Sequence, residues 1–397
     1  MLRIQGAYNN AIIHSDEIDS LTETIIKTVC ASPVHETAKI VIMSDVSKCR
    51  GCVIGTTIAI DDLPIIPGHI GKDSGCGLFV QRLLTNNINY SLLDEILNAK
   101  MINRVEKIYQ EDLEKVGLAN LHCYESIDID LIEKSFGRIG HGNHFIEIDK
   151  NSNNELFLVI HSGSSYLGNS VLKYYQAKAF DYINHSEDSN IIRLREEFRG
   201  ALKPLLFDED ELSEFNQGYL PIWYCWLDGD DKKSFLEDID IVQKFARSNR
   251  EAVARLICEN LGINRGESFH CPHNYIDLRY NILHKGSISA QKGERVIIPI
   301  NMKIGSIIGT GKGNPDFNYS APHGAGKKCK IDEEINLDTF IEDMKGIHSS
   351  TISQETINEQ PRTYKDLDCV IEEIRKTVEI EEIITPVFNF KEKTRDW

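Results

Sequence analysis

The order of hydrophobic patterns along these 397 residues predicts an α+β fold. Short apolar, β-branched runs bounded by Gly, Asp or Ser dominate the first 160 residues, amphipathic helical periodicity occupies the middle, and strand-like runs return later. Strands and helices segregated in this way indicate α+β organisation, whereas a doubly wound fold would alternate them. No internal repeat is visible and no Pro- or Ser-rich linker separates halves, so 1–397 reads as one compact unit.

Taken in order, the expected strands are Lys39 to Met43, Cys52 to Ile60, Leu78 to Leu83, Phe145 to Ile148, Leu156 to Ile160 and Arg295 to Ile300. Each is a run of β-branched or aromatic residues, the kind that packs on a pleated surface. Helical periodicity is clear over roughly Val171 to Ile183 and from about Ser234 to Leu261. In the second segment Phe235, Ile239, Val242, Ala246, Val253 and Ile257 recur near a 3.6 period and Gly262 supplies a stop. A further helix is expected near Leu367 to Thr377, and the stretch from His185 to Ser213 reads only as charged.

Composition narrows the function classes. Hydrophobic residues at 41% and charged residues at 26% are ordinary for a globular chain. No apolar run approaches the ~18 residues of a membrane span, and Met1 to Asn10 lack a basic segment followed by an apolar one. No membrane association is therefore expected, a cytoplasmic location is, and the 10 cysteines should be reduced thiols or metal ligands. A formal charge of -17 excludes nucleic-acid coating by the whole surface. Contact with nucleic acid would need a local basic groove, for which Lys48, Arg50, Lys303, Lys312, Lys327, Lys328 and Lys330 are candidates.

Five short segments carry residues suited to chemistry. In Gly71-Lys72-Asp73-Ser74-Gly75-Cys76-Gly77 a carboxylate and a thiol lie three apart in a glycine-flanked turn, a spacing that can converge on one cation. Gly140-His141-Gly142-Asn143-His144-Phe145-Ile146-Glu147-Ile148 leads from a turn into a strand. Period-2 alternation puts His144, Ile146 and Ile148 on one face and Asn143, Phe145 and Glu147 on the other. His161 ends an apolar strand before the small residues Ser162-Gly163-Ser164, and His273 follows Cys271-Pro272. His323 lies in a loop between Pro322 and Gly324-Ala325-Gly326, where small neighbours leave an imidazole open for attack on phosphorus. Taken alone, the first two segments read rather as a buried thiol beside a turn aspartate and as a turn asparagine with a solvated glutamate, and His323 equally as an exposed loop histidine. Together they supply Asp, Cys and three strand- or loop-edge histidines as ligands, with one histidine to spare, and a thiolate could bridge two divalent ions. Cys49-Arg50-Gly51-Cys52 is a lone pair without a second, and Gly309-Thr310-Gly311-Lys312-Gly313 lacks P-loop spacing.

The order and text of these blocks resemble the RtcB family of GTP-dependent RNA ligases. The matching segments are DSGCG at 73–77, GNHFIEI at 142–148, HSGS at 161–164, HNY at 273–275 and HGAG at 323–326, with TYKDLD from Thr363 and VFNFK ending at Lys391. The resemblance runs from Asp45 to Lys391. It implies a single large mixed-sheet catalytic domain over 1–397, with a helical insertion at about 167–262. It also implies two Mn2+ ions, one on Asp73, Cys76 and His144 and the other on Cys76, His161 and His273. His323 would be the nucleophile toward the α-phosphate of GTP. Asn143 would contact the phosphate, Phe145 line the pocket, Glu147 bond the guanine edge, Tyr364 pack on the base and Lys391 reach its carbonyl. The implied RNA partners carry a 2′,3′-cyclic phosphate or 3′-phosphate end and a 5′-hydroxyl end, in repair or tRNA splicing. The segment from Lys312 to His323 resembles the branch associated with release-factor-like proteins, which implies such a partner.

Several positions depart from the family pattern. Ser47 stands where a histidine is usual, Ser165 and Lys327 where arginines are, His284 in place of the arginine before Lys285-Gly286, and Lys330-Ile331 in place of a Ser-Arg pair. Each lost charge-assisted hydrogen bond to phosphate would cost about 1.5–3 kcal/mol. The alternatives to a ligase are a dinuclear-metal cyclic phosphodiesterase or phosphatase, and a non-catalytic RNA- or partner-binding homologue. Retention of Glu147, Tyr364, Lys391 and His323 separates the ligase from both, because neither needs a guanine pocket.

Overall fold

The computed structural model describes residues 1–103, 108–140, 142–328 and 335–391; His141, Lys330 and Ile331 lie outside the described residues. The strands divide between two large sheets and a small ladder. One sheet has six strands in the order Leu2–Gln5, Asn10–Ile13, Ile40–Ser47, Ile54–Ala59, Ile282–Lys285 and Asn274–Asp277. The other has seven, in the order Arg295–Asn301, Gly305–Gly311, Val378–Phe390, Phe145–Lys150, Leu156–Ser162, Gly77–Leu83 and Arg265–Pro272. Ser287–Ser289 pairs with Ser320–Pro322 as a two-stranded ladder. The expected strands therefore form, and the α+β organisation holds with the strands spread over several sheets.

Side-chain alternation explains how the seven-stranded sheet is covered. Ile146, Ile148, Leu158 and Ile160 face a core closed by Val253 and Ile257 of the helix Gly229–Leu261. Val159 and Phe157, pointing the other way, join Ile297, Ile298 and Ile308 in a second core that Phe145 borders. A third and larger core joins the six-stranded sheet to the helical region through Ile58, Ile70, Leu172, Tyr175, Phe235 and Val242.

The helix expected from Ser234 begins five residues earlier. Asp228 caps it by accepting the Gly229 N–H, and Asp230 and Asp231 favour the positive end of the helix dipole. It stops at Gly262, whose φ of 65° is the left-handed conformation that ends a helix without a side-chain penalty. The charged stretch after His185 is also helical, over Ser189–Leu202 and Glu209–Asn216, with Asp188 and Asp208 as caps. Only Phe198 and Leu202 of the first are buried, so its apolar stripe is too narrow to read in advance. Among the described residues no helix is long and apolar enough to cross a membrane.

Candidate active site

The candidate side chains gather where the two large sheets approach each other. Strand Ile40–Ser47 of the six-stranded sheet brings Asp45. His273 occupies the single residue between Arg265–Pro272 in one sheet and Asn274–Asp277 in the other. His323 follows the short ladder strand Ser320–Pro322.

Asp73 and Cys76 come from the turn before Gly77–Leu83. Gly75 there has φ +81°, and a Cβ would lie 2.8 Å from the Cβ of Ala246, so the turn can press on the long helix only with glycine. A Cβ at Gly163 would overlap the Asp73 carboxylate. The Cys76 carbonyl accepts the His273 N–H at 2.8 Å, locking that histidine's backbone to the turn.

Two groups of donor atoms result. Those of Asp73, Cys76 and His144 lie within 4.8 Å of one another, as do those of Cys76, His161 and His273, so the thiol belongs to both. Cys76 Sγ is 3.2 Å from His144 Nε2 and 3.2 Å from His161 Nε2. His144 Nε2 is 2.9 Å from Asp73 Oδ2, and the Nε2 atoms of His161 and His273 are 3.2 Å apart. His144 Nδ1–H donates to the Ile139 carbonyl at 2.6 Å, a contact that turns the Nε2 lone pair toward Cys76 and Asp73.

Electrostatics tests whether this donor set fits a cation. Burial, then the charges of neighbouring histidines, pushes His161 and His273 well below the ordinary imidazole range, so both stay neutral with lone pairs available. Burial and the Asp73 charge hold the Cys76 thiol well above its usual range when no cation is present. Burial would raise Asp73, but when no cation is present its contact with His144 Nε2 outweighs burial and the carboxyl ends below its ordinary value. Neutral imidazoles, a carboxylate and a shared sulfur that only a cation would ionise are the chemistry of a site for borderline divalent ions.

Next to this cluster is a cavity of about 300 Å³. Asn143, Phe145, Glu147, Tyr364 and Lys391 line it with His323, so one space brings together every residue the resemblance assigned to nucleotide and nucleophile. The alternation read along Asn143 to Ile148 explains this, since Asn143, Phe145 and Glu147 face the cavity while His144 turns to the donor cluster. Burial raises the Glu147 carboxyl to about 7, against the pull of the Asn389 hydrogen bond and the Lys391 charge. Tyr364 Oη donates to Glu359 Oε2 at 2.6 Å, and Lys391 Nζ donates to the Gly142 carbonyl at 3.3 Å. Of the candidate groove cations, Lys327 lines the cavity and bonds Glu359. Arg50 pairs with Asp208, Lys303 with Asp343 and Lys328 with Asp366, while Lys312 donates to the Arg375 carbonyl.

Asp45, Arg250 and Asn249 are candidates that the sequence reading missed. Asp45, fully buried at its side chain, accepts His323 Nδ1–H at 2.6 Å and the His323 backbone N–H at 2.9 Å. That bond leaves His323 Nε2 as the atom with a free lone pair, and the His323 ring centre is 4.8 Å from that of His273. Arg250, among the largest fully buried side chains, donates from Nη1 to the carbonyls of Gly75 at 2.8 Å and Ser162 at 2.7 Å. Asn249 beside it accepts the Gly137 N–H at 2.6 Å and donates to the Arg138 carbonyl at 2.6 Å. The available signal was a polar Asn-Arg pair on the largely apolar face of a long helix, where Asp238 is also buried.

Comparisons with known proteins point to one family. The family model described as "RtcB: tRNA-splicing ligase RtcB" matches residues 109–392. The chain is 25% identical to RNA-splicing ligase RtcB of Escherichia coli (strain K12), over 86% of this chain and 87% of that protein. It is 23% identical to tRNA-splicing ligase RtcB of Nanoarchaeum equitans (strain Kin4-M), over 83% of each.

Proposed function

The chain belongs to the RtcB family, and from that premise we propose that it is a GTP-dependent RNA ligase joining a 2′,3′-cyclic phosphate or 3′-phosphate end to a 5′-hydroxyl end. The observation that carries this reading is the Asp45–His323 pair, set between a nucleotide-sized cavity and the Asp/Cys/His cluster.

In this reading His323 Nε2 attacks the α-phosphorus of GTP. A P–N bond forms as the bond to the β-phosphate oxygen breaks, and pyrophosphate leaves. Asp45 holds Nδ1–H throughout and stabilises the positive charge that the ring acquires. A terminal 3′-phosphate, produced from a cyclic end by addition of water, then takes the GMP from His323. The 5′-hydroxyl of the second RNA attacks that activated phosphate, and GMP departs. Ionised Glu147 accepts the N–H donors of guanine, Tyr364 packs on the base, Phe145 lines the pocket, Lys391 meets the base carbonyl and Asn143 meets phosphate. Asp73, Cys76 and His144 would hold one Mn2+ and Cys76, His161 and His273 a second. Bound there, such ions supply positive charge that neutralises the reacting phosphates.

The same reading takes 1–397 as one cytoplasmic catalytic unit with the helices at about 167–262 as an insertion. A release-factor-like partner also belongs to it, resting on the segment from Lys312 to His323. The test is incubation of metal-stripped, Mn2+-reloaded protein with GTP labelled at the α-phosphate. Acid-labile label on the wild type and none on His323→Ala is the expected result. No label with Mn2+, Co2+ or Zn2+ would refute the ligase and favour a hydrolase or a binding protein.

A further inference from the structure

The cavity wall contains a polar atom that the mechanism above leaves unused. Asn389, near the end of strand Val378–Phe390, lies opposite Glu147 in the antiparallel register, lines the cavity and is 1% exposed. Its amide donates to Glu147 Oε1 at 2.7 Å. An ionised carboxylate can only accept, so Nδ2 must face Glu147 and Oδ1 must face away. That Oδ1 is buried and has no hydrogen-bond partner among the described residues. Buried amide oxygens are nearly always paired, so an unpaired one in the wall of a ligand-sized cavity marks a donor that the ligand brings.

Spacing along the strand identifies the donor. Lys391, two residues beyond Asn389, points to the same side of the strand, about 6–7 Å farther along the wall. Glu147 stands across from Asn389 and is influenced by both. Guanine presents O6, N1–H and the exocyclic 2-amino group in that order along one edge. With O6 toward Lys391, and N1–H and one 2-amino hydrogen on Glu147, the second 2-amino hydrogen falls on the Asn389 side. We propose that Asn389 is a specificity-determining residue whose Oδ1 accepts that second hydrogen, so that the site selects guanine over hypoxanthine nucleotides. This rests on the nucleotide reading given above and adds the residue that distinguishes two purines sharing O6 and N1–H.

The experiment compares labelling rates of the full-length, Mn2+-reloaded protein with GTP and with inosine triphosphate, both labelled at the α-phosphate. Wild type, Asn389→Leu and Asn389→Ser are run in parallel, each checked by thermal melting. The wild type should favour GTP on the order of 100-fold, because inosine triphosphate leaves Oδ1 and one Glu147 contact unmet. Either folded variant should lower that ratio about tenfold. Misalignment of Glu147 affects the N1–H contact of both nucleotides alike but its 2-amino contact only with GTP, so Asn389→Leu is repeated in a Glu147→Gln background, where the ratio should still fall. A wild-type ratio below about threefold, or a ratio that a folded variant leaves unchanged, would overturn the role of Asn389 while leaving the ligase reading in place. Absence of label from every nucleotide would instead overturn the ligase reading, and this inference with it.

Discussion

Replacing Arg250 with methionine should weaken metal binding far more than it weakens the fold. The guanidinium donates to the carbonyls of Gly75 and Ser162, which adjoin the proposed ligands Cys76 and His161. Two hydrogen bonds from a charged donor contribute about 3–6 kcal/mol. Burial opposes this, lowering the group from 12.5 to about 10, which corresponds to a cost of about 3 kcal/mol. The net is about 2 kcal/mol, which for a chain of this size amounts to a fall of about 2–3 °C in Tm. Metal affinity should suffer more, because the turn and the strand end would no longer be held in register and the positive charge that favours the Cys76 thiolate would be gone. A loss of about tenfold to a hundredfold is expected from a group that orients ligands in this way. Titration with Co2+, followed by thiolate-to-metal charge-transfer absorbance, measures the affinity, and melting of the metal-free protein measures the fold. A lowered Tm with Co2+ affinity within twofold of wild type would refute the argument.

Further outcomes follow from the same geometry. Asp45→Asn should slow single-turnover labelling by GTP about 100-fold or more while leaving Co2+ affinity unchanged, because Asp45 orients His323 and is not among the donor atoms of the cluster. Labelling should decline as pH falls through about 7, where Glu147 gains a proton and loses its capacity to accept guanine N–H groups; Glu147→Gln should remove that limb of the profile. Asp149→Val should stabilise the protein at pH 8 but not near pH 4, as read from Tm against pH. Both Asp149 oxygens are buried without hydrogen-bond partners among the described residues, and burial, then Glu147, holds the group well above 3.8. The unfolded chain therefore ionises Asp149 first, and wild-type stability falls by about 1.4 kcal/mol per pH unit above that point until the folded group also ionises.

The ligand-bearing segments were legible because their chemistry is local. Glycine-flanked turns, a strand with strict alternation and histidines at strand ends each limit where a side chain can point. Asp73, Cys76, His144, His161 and His273 accordingly converge in the structure. Asp45, Arg250 and Asn389 were not legible, because each acts through a partner far away in sequence. Asp45 meets His323 across 278 positions, Arg250 meets Gly75 across 175, and Asn389 meets Glu147 across 242. An aspartate at the end of an apolar strand or an asparagine between two phenylalanines carries no local sign of such a partner. The division of strands into two large sheets was hidden for the same reason, since strand pairing is long-range.

Burial separates most of the positions that differ from the family pattern from those that keep it, with the buried His284 as the exception. Cys76, His144, His161 and His273 are all buried and touch one another, so changing one leaves the others with unmatched lone pairs in a dry interior. Ser47, Ser165 and Lys327 occupy half-buried or exposed positions, where a shorter side chain exposes space to water and strands no partner. Lys327 has moreover acquired contacts of its own, to Glu359 and to the Asn358 carbonyl, with its ammonium 5.6 Å from the centre of the Tyr364 ring. A lysine engaged in this way stiffens the base pocket but has fewer donors left for a phosphate than an arginine would. The expected consequence is asymmetric. Formation of the histidine–nucleotide bond, which uses the buried set, should survive these substitutions, whereas holding RNA ends, which uses the rim, should be weaker and more sensitive to salt. Restoring arginine at position 327 should accordingly raise RNA sealing at 0.2 M salt more than it raises labelling by GTP. Equal gains in both would place the limit in the nucleotide pocket instead.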